Sequence, residues 1–549
     1  MPNLVFCDIE TDGLDATTIW CAVCRHNGQN EVILNEQDFK AYVSDRPNAS
    51  WVFHNGIGFD VPVLGRLWGV NFDRGSIVDT LVLSRLADPS KSGGHSLRNW
   101  GNLLAFSKGD HEDWSQLSDE MIEYCIRDVE LTEAVFKKLK VNLYDFSQES
   151  IDLEHQVQWI IQDQERNGWL LDQRLCSLLV ARFKERMNVI EEDLQKVFPP
   201  IIKERYSEKT LKRLKDQVTV FNVGSRQQVA DRLTAKGAVW SSVTPTGKPV
   251  VDEKTLKENS HVPEAKQVLE YLLLQKRHSQ VKSWLEHVQD DSRVHGRVIT
   301  NGAVTGRMTH QSPNMAQVPS VNSEYGKECR SCWIVPEGYK LVGVDASGLE
   351  LRMLAHYMED EEFTDALLDG DIHSRNQIAA GLETRPQAKT FIYAFLYGAG
   401  DPKIGSIVGG TARDGANLRA SFLRNTPSLE ALRDRTIKEA RRGHLTGLDG
   451  RRLWVRSEHS ALNTLLQSAG AIVMKKALVI LDEFAKKHGI DYKFVGNIHD
   501  EIQSEVASKQ AEKFGWLAVE CIKAAGISFK LRCPLDGEFK IGNTWAETH

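Results

Sequence analysis

The chain has 549 residues, of which 41% are hydrophobic and 26% are charged, and its formal net charge is −7. This length predicts several domains, because one hydrophobic core rarely extends beyond about 250–300 residues, and the acidic balance excludes a uniformly basic nucleic-acid-binding protein. We expect a cytoplasmic protein without a membrane partner, because the N-terminus has no basic region, no apolar run reaches the length of a membrane span, and cysteines number only nine.

The first predicted elements form an α/β domain over residues 1–145, where apolar runs alternate with helical stretches. The domain opens with a strand at residues 4–6 that leads into Asp8 and Glu10. Because these carboxylates lie two residues apart at the end of a strand, we expect both to point to one face. A third carboxylate, Asp60, ends the stretch HNGIGFD.

A fourth carboxylate, Asp128, lies four residues after Tyr124, and this spacing places the phenol and the carboxylate on one face of a helix. Four carboxylates close together repel one another, so the set predicts bound divalent metal ions. Two such ions can activate a water and stabilise the leaving oxygen of a phosphodiester, with the phenol orienting that water. Each pair alone is common in unrelated sequences. The ordered set resembles the DEDD-type exonucleases with a tyrosine in the third motif, over roughly residues 1–140.

The next segment, residues 151–284, has a long, charged and mostly helical pattern, within which residues 271–281 predict one amphipathic helix. Residues 203–216 hold six basic and three acidic side chains. A solvated helix face is the simplest interpretation of this run. Contact with a phosphate backbone is the alternative, and the sequence leaves both open.

A second pair of carboxylates follows later strands. Asp345 comes directly after a predicted strand at residues 341–344, and the triplet His499-Asp500-Glu501 lies in a predicted tight turn between two strands. Carboxylates at the ends of neighbouring strands can hold two Mg²⁺ ions, and phosphoryl transfer needs little else from the protein besides positioning and neutralised charge.

Between these carboxylates, four side chains recur every four residues and line one side of a predicted helix: Arg385, Lys389, Tyr393 and Tyr397. Gly398 then suits the end of the helix. Two cations and an aromatic ring on one face match a triphosphate with a sugar and base beyond it, and His373 upstream offers a further donor for phosphate. An arginine and a lysine four residues apart would, taken alone, more simply belong to a surface helix.

Three stretches together resemble motifs A, B and C of the family A (DNA polymerase I type) DNA polymerases. They are DASGLELR at residues 345–352, RPQAKTFIYAFLYGAG at 385–400 and IHDE at 498–501. Their forms are most similar to those of the replicative polymerases of short-tailed bacteriophages, and the resemblance covers nearly the whole chain. Smaller pieces agree in order: Thr305-Gly306-Arg307 before motif A; Asn222, Ser225 and Gln228 in the thumb; and Asn463 and Gln467 on a helix beside the primer–template minor groove.

The resemblance implies roles for individual residues of the polymerase site. Asp345 and Asp500 are the implied ligands of two Mg²⁺ ions, which Mn²⁺ can replace, and Glu501 is an accessory carboxylate or simply a hairpin residue. By the same resemblance, Arg385, Lys389 and His373 contact the triphosphate, and Lys389 also protonates the leaving pyrophosphate. Tyr393 contacts the sugar and base, Glu350 closes the space around C2′ together with Tyr393, and Tyr397 lies near the templating base. The implied contacts to the minor groove come from Arg307, Gln467 and His499.

The implied fold is α/β and multidomain, with an RNase H-like 3′→5′ exonuclease domain followed by a right hand of palm, fingers and thumb. In the exonuclease domain, the implied metal ligands are Asp8, Glu10, Asp60 and Asp128, with Tyr124 as a catalytic residue. The expected ranges are 1–145 for the exonuclease, 146–289 for connector and thumb, 290–354 and 461–549 for the palm, and 355–460 for the fingers. Since the first motif begins at Asp8, we expect no 5′-nuclease domain, which favours replication over nick repair.

The expected partners are primer–template DNA, dNTPs, and the helicase, primase and single-strand-binding protein of a replisome, in the host cytoplasm if the protein is phage-encoded. Some phage relatives carry a long thumb insertion that recruits a host processivity protein. Residues 198–218 are short in comparison, so the processivity factor stays open.

Two cysteine pairs have a spacing typical of zinc ligands, Cys21 with Cys24 and Cys329 with Cys332. They lie in different predicted domains without nearby histidines, so we expect free thiols.

Three rival functions are a pure exonuclease, a non-catalytic DNA-binding or scaffold protein, and a single-subunit RNA polymerase. Two complete carboxylate sets and Lys389 oppose the first two, whereas Glu350 and a proofreading domain oppose the third.

Overall fold

The structure is a computed structural model that describes residues 3–106, 108–210 and 212–548. Its N-terminal part comprises β1 (Leu4–Thr11), β2 (Ile19–His26), β3 (Gln29–Ile33), α1 (Glu36–Ser44), β4 (Ser50–Phe53), α2 (Asp60–Trp68), β5 (Ile77–Asp79), α3 (Thr80–Ala87), α4 (Leu97–Leu104) and α5 (Asp119–Asn142). The strands form one mixed sheet in the order β3-β2-β1-β4-β5. Helix α5 covers one face of this sheet and α1 and α2 cover the other, so the α/β prediction for this region is confirmed.

Strand β1 runs through Asp8 and Glu10, so the expected strand end at residue 6 was wrong. Backbone pairing with β2 continues past both carboxylates, and Glu10 still pairs with Cys21. The error arose because strand hydrogen bonds join backbone groups and do not require apolar side chains. The period of two still places Asp8 and Glu10 on one face of the sheet, as expected.

A mostly helical segment follows: α6 (Gln148–Asn167), β6 (Trp169–Leu171), α7 (Gln173–Val197), β7 (Ile201–Tyr206), β8 (Arg213–Thr219), α8 (Arg226–Thr234), α9 (Glu253–Glu258) and α10 (Pro263–Glu286). Helices α7 and α10 pack against each other over a shared apolar core. The helix predicted at residues 271–281 is confirmed as part of α10, where Tyr271, Leu274 and Val281 are buried at helical spacing.

Residues 203–216 are not helical; in the described part of the chain they belong to an antiparallel hairpin, β7 and β8. The helical interpretation was wrong because it followed the charges, whereas the β-branched residues that flank the run, Ile201 and Ile202 before it and Val218 and Thr219 after it, favour strands. Ile202 lies opposite Val218, and both are exposed, at 65% and 56%. The hairpin therefore projects from the protein instead of packing as a helix face.

The remaining chain builds a second sheet from two segments that a mostly helical insertion separates. The first segment contains β9 (Arg293–Val294), β10 (Arg297–Ile299), β11 (Thr309–Gln311), α11 (Gly326–Ser331), β12 (Trp333–Ile334), β13 (Tyr339–Ala346) and α12 (Leu349–Met358). The insertion contains α13 (Glu361–Leu368), α14 (Ile372–Ala380), α15 (Arg385–Leu396), α16 (Asp401–Ser406), α17 (Ala412–Arg424), α18 (Pro427–Ala440), β14 (His444–Thr446) and β15 (Arg452–Trp454). The second segment contains α19 (Ala461–Lys487), β16 (Tyr492–Ile498), β17 (Glu501–Ala507), α20 (Ala511–Ser528) and β18 (Gly537–Gly542).

The second sheet has the strand order β16-β17-β13-β18, and every neighbouring pair is antiparallel. Strand β13 of the first segment thus lies between two strands of the second segment. This strand runs through Asp345 to Ala346, so its expected end at residue 344 was also wrong. The domain boundary expected between residues 354 and 355 falls inside α12, because one helix continues across it.

Helix α19 contradicts the expectation that no apolar run reaches the length of a membrane span. Among the described residues, it is the one helix that is long and apolar enough by length and composition. However, 78% of the apolar stretch is buried inside the protein, where α19 packs against α20, α6 and α12. We therefore interpret α19 as a core helix.

A buried network of charges joins α6 to α19 and to the turn between β14 and β15. Glu154 Oε1 lies 2.6 Å from Arg451 Nη1 and 2.6 Å from Lys475 Nζ, and Asp449 Oδ2 lies 2.6 Å from Arg451 Nη2. All four side chains are at most 2% exposed. The network fixes these elements relative to one another, because charges buried this deeply need their partners.

Candidate functional site

The N-terminal part brings together the four carboxylates that the sequence predicted as a metal site: Asp8 and Glu10 on β1, Asp60 at the start of α2, and Asp128 on α5. Asp60 Oδ1 accepts a hydrogen bond of 3.2 Å from the backbone N–H of Ile9, between the two carboxylates of β1. Helix α5 packs across β1 and β2, so Asp128 meets the same face of the sheet.

Burial is the main electrostatic influence on this cluster. It raises the pKa of Glu10 to about 9, with the charge of Asp128 as the next cause, and it raises the pKa of Asp60 to about 7. Burial also raises the pKa of Asp8 and that of Asp128. Within the described residues, Glu10 Oε1 and Asp128 Oδ1 are buried without a hydrogen-bond partner. Such oxygens suit a hard divalent cation, so the residues fit the expected Mg²⁺ or Mn²⁺.

A lysine that the sequence analysis missed lies inside this cluster. Lys108 Nζ is 2.6 Å from Asp128 Oδ2 and 4.9 Å from the centre of the Tyr124 ring. Tyr124 and Asp128 lie one turn apart on α5, as their spacing predicted. The rings of His111 and Trp114 lie 6.0 Å and 5.8 Å from the Tyr124 ring. The periodicity of helices and strands could not indicate Lys108, because this residue lies between α4 and α5, outside any helix or strand.

Cysteines border the same cluster. Cys125 Sγ lies 3.7 Å from Asp8 Oδ2, and Cys125 on α5 contacts Cys21 on the face of the sheet that α5 covers. Cys24 instead contacts Cys7, with 3.7 Å between their sulfur atoms. Cys21 and Cys24 thus face opposite sides of β2, which explains why their zinc-like spacing does not produce a shared ligand position. All nine cysteines are buried free thiols.

The second carboxylate site forms where β13 meets the turn between β16 and β17. Asp345 pairs across the sheet with Glu501 on β17 and with Glu538 on β18, a residue that the sequence analysis missed. Asp500 lies in the turn, and its backbone oxygen accepts a hydrogen bond of 3.3 Å from the N–H of Ala346. Burial, followed by the charge of Asp500, raises the pKa of Asp345 to about 7, and burial also raises the pKa of Asp500. These oxygen donors also suit Mg²⁺.

Glu501 is tied to the C-terminal segment of the chain. Its Oε1 accepts a hydrogen bond of 2.7 Å from Trp545 Nε1, and its Oε2 lies 3.9 Å from Arg330 Nη1. Glu501, Trp545 and Arg330 are all buried. These contacts favour a structural role for Glu501 at the start of β17 over the role of an accessory carboxylate.

Glu350 lies on α12 directly after the strand that carries Asp345. Its Oε1 accepts a hydrogen bond of 2.9 Å from the Tyr397 hydroxyl and lies 3.3 Å from Arg307 Nη2. Tyr393 is the tyrosine expected beside Glu350, whereas the hydroxyl that contacts this carboxylate belongs to Tyr397. Tyr397 directly follows the last residue of α15, one turn after Tyr393, so both rings lie on the same side of this helix end.

Helix α15 begins at a capping box, in which Thr384 and Gln387 satisfy the free backbone groups of the first turn. Arg385 and Lys389 are exposed on this helix, and Tyr393 is half-buried. Gly398 ends the helix in a left-handed conformation with φ of 72°, as its position predicted.

His373 on α14 lies beside this face of α15. Its ring centre is 6.4 Å from that of Tyr393, and its Nδ1 is buried without a hydrogen-bond partner among the described residues. Burial lowers the pKa of His373, and the charges of Arg385 and Lys389 lower it further. The three expected phosphate donors are therefore close enough to influence one another.

The residues expected at the minor groove come from three separate parts of the chain: Arg307 from the segment between β10 and β11, Gln467 from α19, and His499 from the turn between β16 and β17. His499 occupies the turn before Asp500 with φ of 59°, and burial, followed by the charge of Arg307, lowers its pKa. Gln467 lies on α19 one turn after Asn463, whose Nδ2 donates a hydrogen bond of 3.3 Å to the backbone oxygen of Tyr397.

Comparison with known proteins matches this chain to DNA polymerases at the level of both a family model and individual relatives. A family model described as DNA polymerase family A matches residues 201–547. The DNA-directed DNA polymerase of Escherichia phage T7 is 33% identical over 100% of both chains, and that of Enterobacteria phage T3 is 34% identical over 91% of this chain and 92% of its own. DNA polymerase I of Aquifex aeolicus (strain VF5) is 28% identical over 85% of this chain and 84% of its own.

The fold is also similar to that of a solved structure, the POL domain of Pol1 from M. smegmatis in complex with DNA primer-template and dNTP. The TM-score is 0.82 over 99% of this chain and 96% of that chain, at 20% sequence identity. The similarity of fold therefore extends through the N-terminal part, which the family model does not match.

Proposed function

The chain belongs to DNA polymerase family A, and we propose that it is a DNA-directed DNA polymerase that extends a DNA primer with deoxynucleoside triphosphates. The observation that carries the proposal is the convergence of Asp345 and Asp500 at one site of the second sheet. Tyr393 on α15 lies within electrostatic reach of Asp500, so the cationic face of this helix borders the same site.

In the proposed reaction, Asp345 and Asp500 hold Mg²⁺. The metal, when bound, supplies charge that stabilises the phosphoryl group during transfer. Arg385 and Lys389 bind the triphosphate oxygens from α15, and His373 contributes a further donor. Lys389 also gives a proton to the leaving pyrophosphate. These groups neutralise charge and orient the nucleotide for attack by the primer 3′-hydroxyl.

The Glu350–Tyr397 pair is proposed to lie directly beneath the sugar of the bound nucleotide. Its hydrogen bond holds the carboxylate in one place, so a 2′-hydroxyl would meet a side chain that cannot move away. Tyr393 stacks on the sugar and base. Arg307, Gln467 and His499 contact minor-groove acceptors, which are similar in all correct base pairs and so report the geometry of a pair instead of its sequence.

We propose a second activity, 3′→5′ proofreading exonuclease, for the cluster in the N-terminal part. One oxygen of Glu10 and one of Asp128 are buried without a hydrogen-bond partner among the described residues, and these oxygens support metal binding there, together with Asp8 and Asp60. Tyr124 orients the attacking water from the side of α5. Burial raises the pKa of Tyr124, so the phenol stays protonated and can donate a hydrogen bond.

The proposed domain arrangement follows from these sites. The N-terminal sheet is an RNase H-like exonuclease domain, the second sheet is the palm, and the helical insertion that carries α15 is the fingers. Helices α7 and α10 with the β7–β8 hairpin form the thumb. A role in replication further predicts the helicase, primase and single-strand-binding protein of a replisome as partners, in the cytoplasm of the host if the protein is phage-encoded.

Primer extension with either dNTPs or NTPs tests the proposed function against its rivals. We expect rapid extension with dNTPs and very little with NTPs. Extension with NTPs at a comparable rate would favour an RNA polymerase, and degradation without extension would favour a pure exonuclease.

A further inference from the structure

We propose that Lys108 is a positioning residue of the exonuclease site, where it holds Asp128 and Tyr124 in the arrangement that hydrolysis requires. The inference rests on the proposed exonuclease activity and adds a residue to it. Lys108 contacts both residues that α5 contributes to the site, at 2.6 Å from Asp128 Oδ2 and 4.9 Å from the centre of the Tyr124 ring.

The contact between Lys108 and Asp128 is shielded from solvent. The Lys108 side chain is 18% exposed and that of Asp128 is 4% exposed. A charge-assisted hydrogen bond in such surroundings is stronger than one at an open surface, because less water competes for either partner. Lys108 therefore restrains the carboxylate far more than a surface lysine would.

The second contact restrains the phenol. An ammonium over an aromatic ring is attracted by the negative face of the ring, and partial burial strengthens that attraction. The same cation thus bridges two side chains that lie one turn apart on α5. Both must keep a fixed rotamer if Tyr124 is to orient water beside a metal that Asp128 helps to hold.

The segment that carries Lys108 packs closely against the Tyr124 ring. A Cβ atom at Gly109 would lie 3.3 Å from Cδ2 of Tyr124, so the backbone passes close to the ring. The rings of His111 and Trp114 pack around the same phenol. The backbone oxygen of Trp114 accepts a hydrogen bond of 3.0 Å from Trp20 Nε1. The position of Lys108 is therefore set by the fold.

A direct contact with the phosphates of the DNA strand is the competing role for Lys108. The two roles predict different kinetics. A positioning residue changes the rate at saturating DNA and leaves DNA affinity in the absence of metal unchanged. A phosphate contact changes that affinity first.

The test uses the full chain with a labelled single-stranded oligonucleotide and no dNTPs. Lys108→Met removes the charge and keeps the length of the side chain, and Lys108→Arg keeps the charge. Lys137→Met is the matched control, since Lys137 forms an ion pair of 2.9 Å with Glu133 on the same helix but is 70% exposed. Affinity for the oligonucleotide is measured separately by fluorescence anisotropy in EDTA.

We expect Lys108→Met to slow degradation at saturating DNA and Mg²⁺ by about tenfold or more, the loss that follows when a hydrogen bond to a charged group is removed. Lys108→Arg should recover part of the rate, and Lys137→Met should match the parent. Affinity in EDTA should be the same for all four proteins. If thermal unfolding shows that Lys108→Met is misfolded, Lys108→Gln repeats the test.

Two results would overturn the inference. One is a Lys108→Met protein that degrades DNA as fast as the parent. The other is a loss of affinity in EDTA that accounts for the whole decrease in rate, which would make Lys108 a DNA contact. Asp8→Ala in the same assay distinguishes a failure of the proposed role of Lys108 from a failure of the proposed exonuclease site. If Asp8→Ala is inactive and Lys108→Met is fully active, only the role of Lys108 fails; if Asp8→Ala remains active, the proposed exonuclease site fails.

Discussion

The hydroxyl of Tyr397 donates a hydrogen bond of 2.9 Å to Glu350 Oε1. This bond joins the end of α15, in the helical insertion, to α12, which directly follows the strand that carries Asp345. Arg307 approaches the same carboxylate oxygen at 3.3 Å. Glu350 therefore has two partners that fix its position beside the proposed metal ligands, and both contribute to the selectivity that we propose for it.

Ribonucleotide exclusion should depend on Glu350. Glu350→Ala opens the volume that a 2′-hydroxyl needs, so incorporation of ribonucleotides should rise relative to deoxyribonucleotides by about tenfold or more. Tyr397→Phe keeps the ring and removes one of the two partners of the carboxylate, so its effect should have the same direction and be smaller. The ratio of kcat/KM for the two nucleotide types measures both. An unchanged ratio in Glu350→Ala would place the selectivity elsewhere.

Discrimination against dideoxynucleotides should depend on the hydroxyl of Tyr393. A dideoxynucleotide lacks the 3′-hydroxyl that fills a polar position beside its own phosphates, and the Tyr393 hydroxyl can partly replace it. Tyr393→Phe removes that replacement, and discrimination should rise by about tenfold, which corresponds to about 1.4 kcal/mol. Competing incorporation by the two proteins, with Asp8 mutated to silence proofreading, measures the change. If Tyr393 only stacks on the base, phenylalanine will serve equally and the ratio will stay fixed.

The β7–β8 hairpin should bind the DNA backbone through one set of its cations. Arg213 is paired within the hairpin, at 3.4 Å from Glu204 and 3.1 Å from Asp216. Five other exposed cations form no ion pair in the part of the chain that the structure describes: Lys203, Arg205, Lys209, Lys212 and Lys215. These five are the ones available to phosphates.

Charge reversal of Lys203, Lys209 and Lys212 should therefore weaken DNA binding and reduce its salt dependence by up to about 0.9 log unit for each phosphate that the protein no longer neutralises. Reversal of Lys257 is a suitable control, because this exposed lysine forms an ion pair of 2.6 Å with Glu253 on α9. An identical salt slope in the hairpin variant and the control would mean that the hairpin is only solvated.

The buried network around Glu154 should be required for stability. Glu154→Gln removes the charge that Arg451 and Lys475 share, leaving buried cations with too little compensation, so the free energy of unfolding should fall by about 3–5 kcal/mol. Glu253→Gln breaks an exposed pair and should cost less than about 1 kcal/mol. Urea unfolding followed by intrinsic fluorescence compares the two. Equal losses would mean that the network does not stabilise the junction between α6 and α19.

Much of both sites could be predicted because their residues occur in ordered motifs on recognisable elements. Asp128 follows Tyr124 by one helical turn, and Asp500 lies in a turn between two strands. The strand ends were less predictable. Asp8 and Asp345 lie within their strands, because backbone pairing continues through polar residues that sequence patterns interpret as a boundary.

The unpredicted features depend on tertiary contacts that have no regular spacing. Lys108 lies in an irregular segment, and its contact with Asp128 follows from how that segment folds over α5. Glu501 and Trp545 form a hydrogen bond only because the C-terminal segment returns to the second sheet. The hairpin was mistaken for a helix, since charges dominate its composition while its apolar residues set its conformation.

The most direct test of the account is the separation of its two proposed activities by mutation. Asp345→Ala and Asp500→Ala should each abolish primer extension and leave degradation of single-stranded DNA at the parent rate. The double substitution Asp8→Ala with Glu10→Ala should abolish degradation, preserve extension and raise the error rate. A parallel assay of extension and degradation on the three proteins decides the matter. Extension near the parent rate by Asp500→Ala, or loss of both activities in every variant, would contradict two independent metal sites.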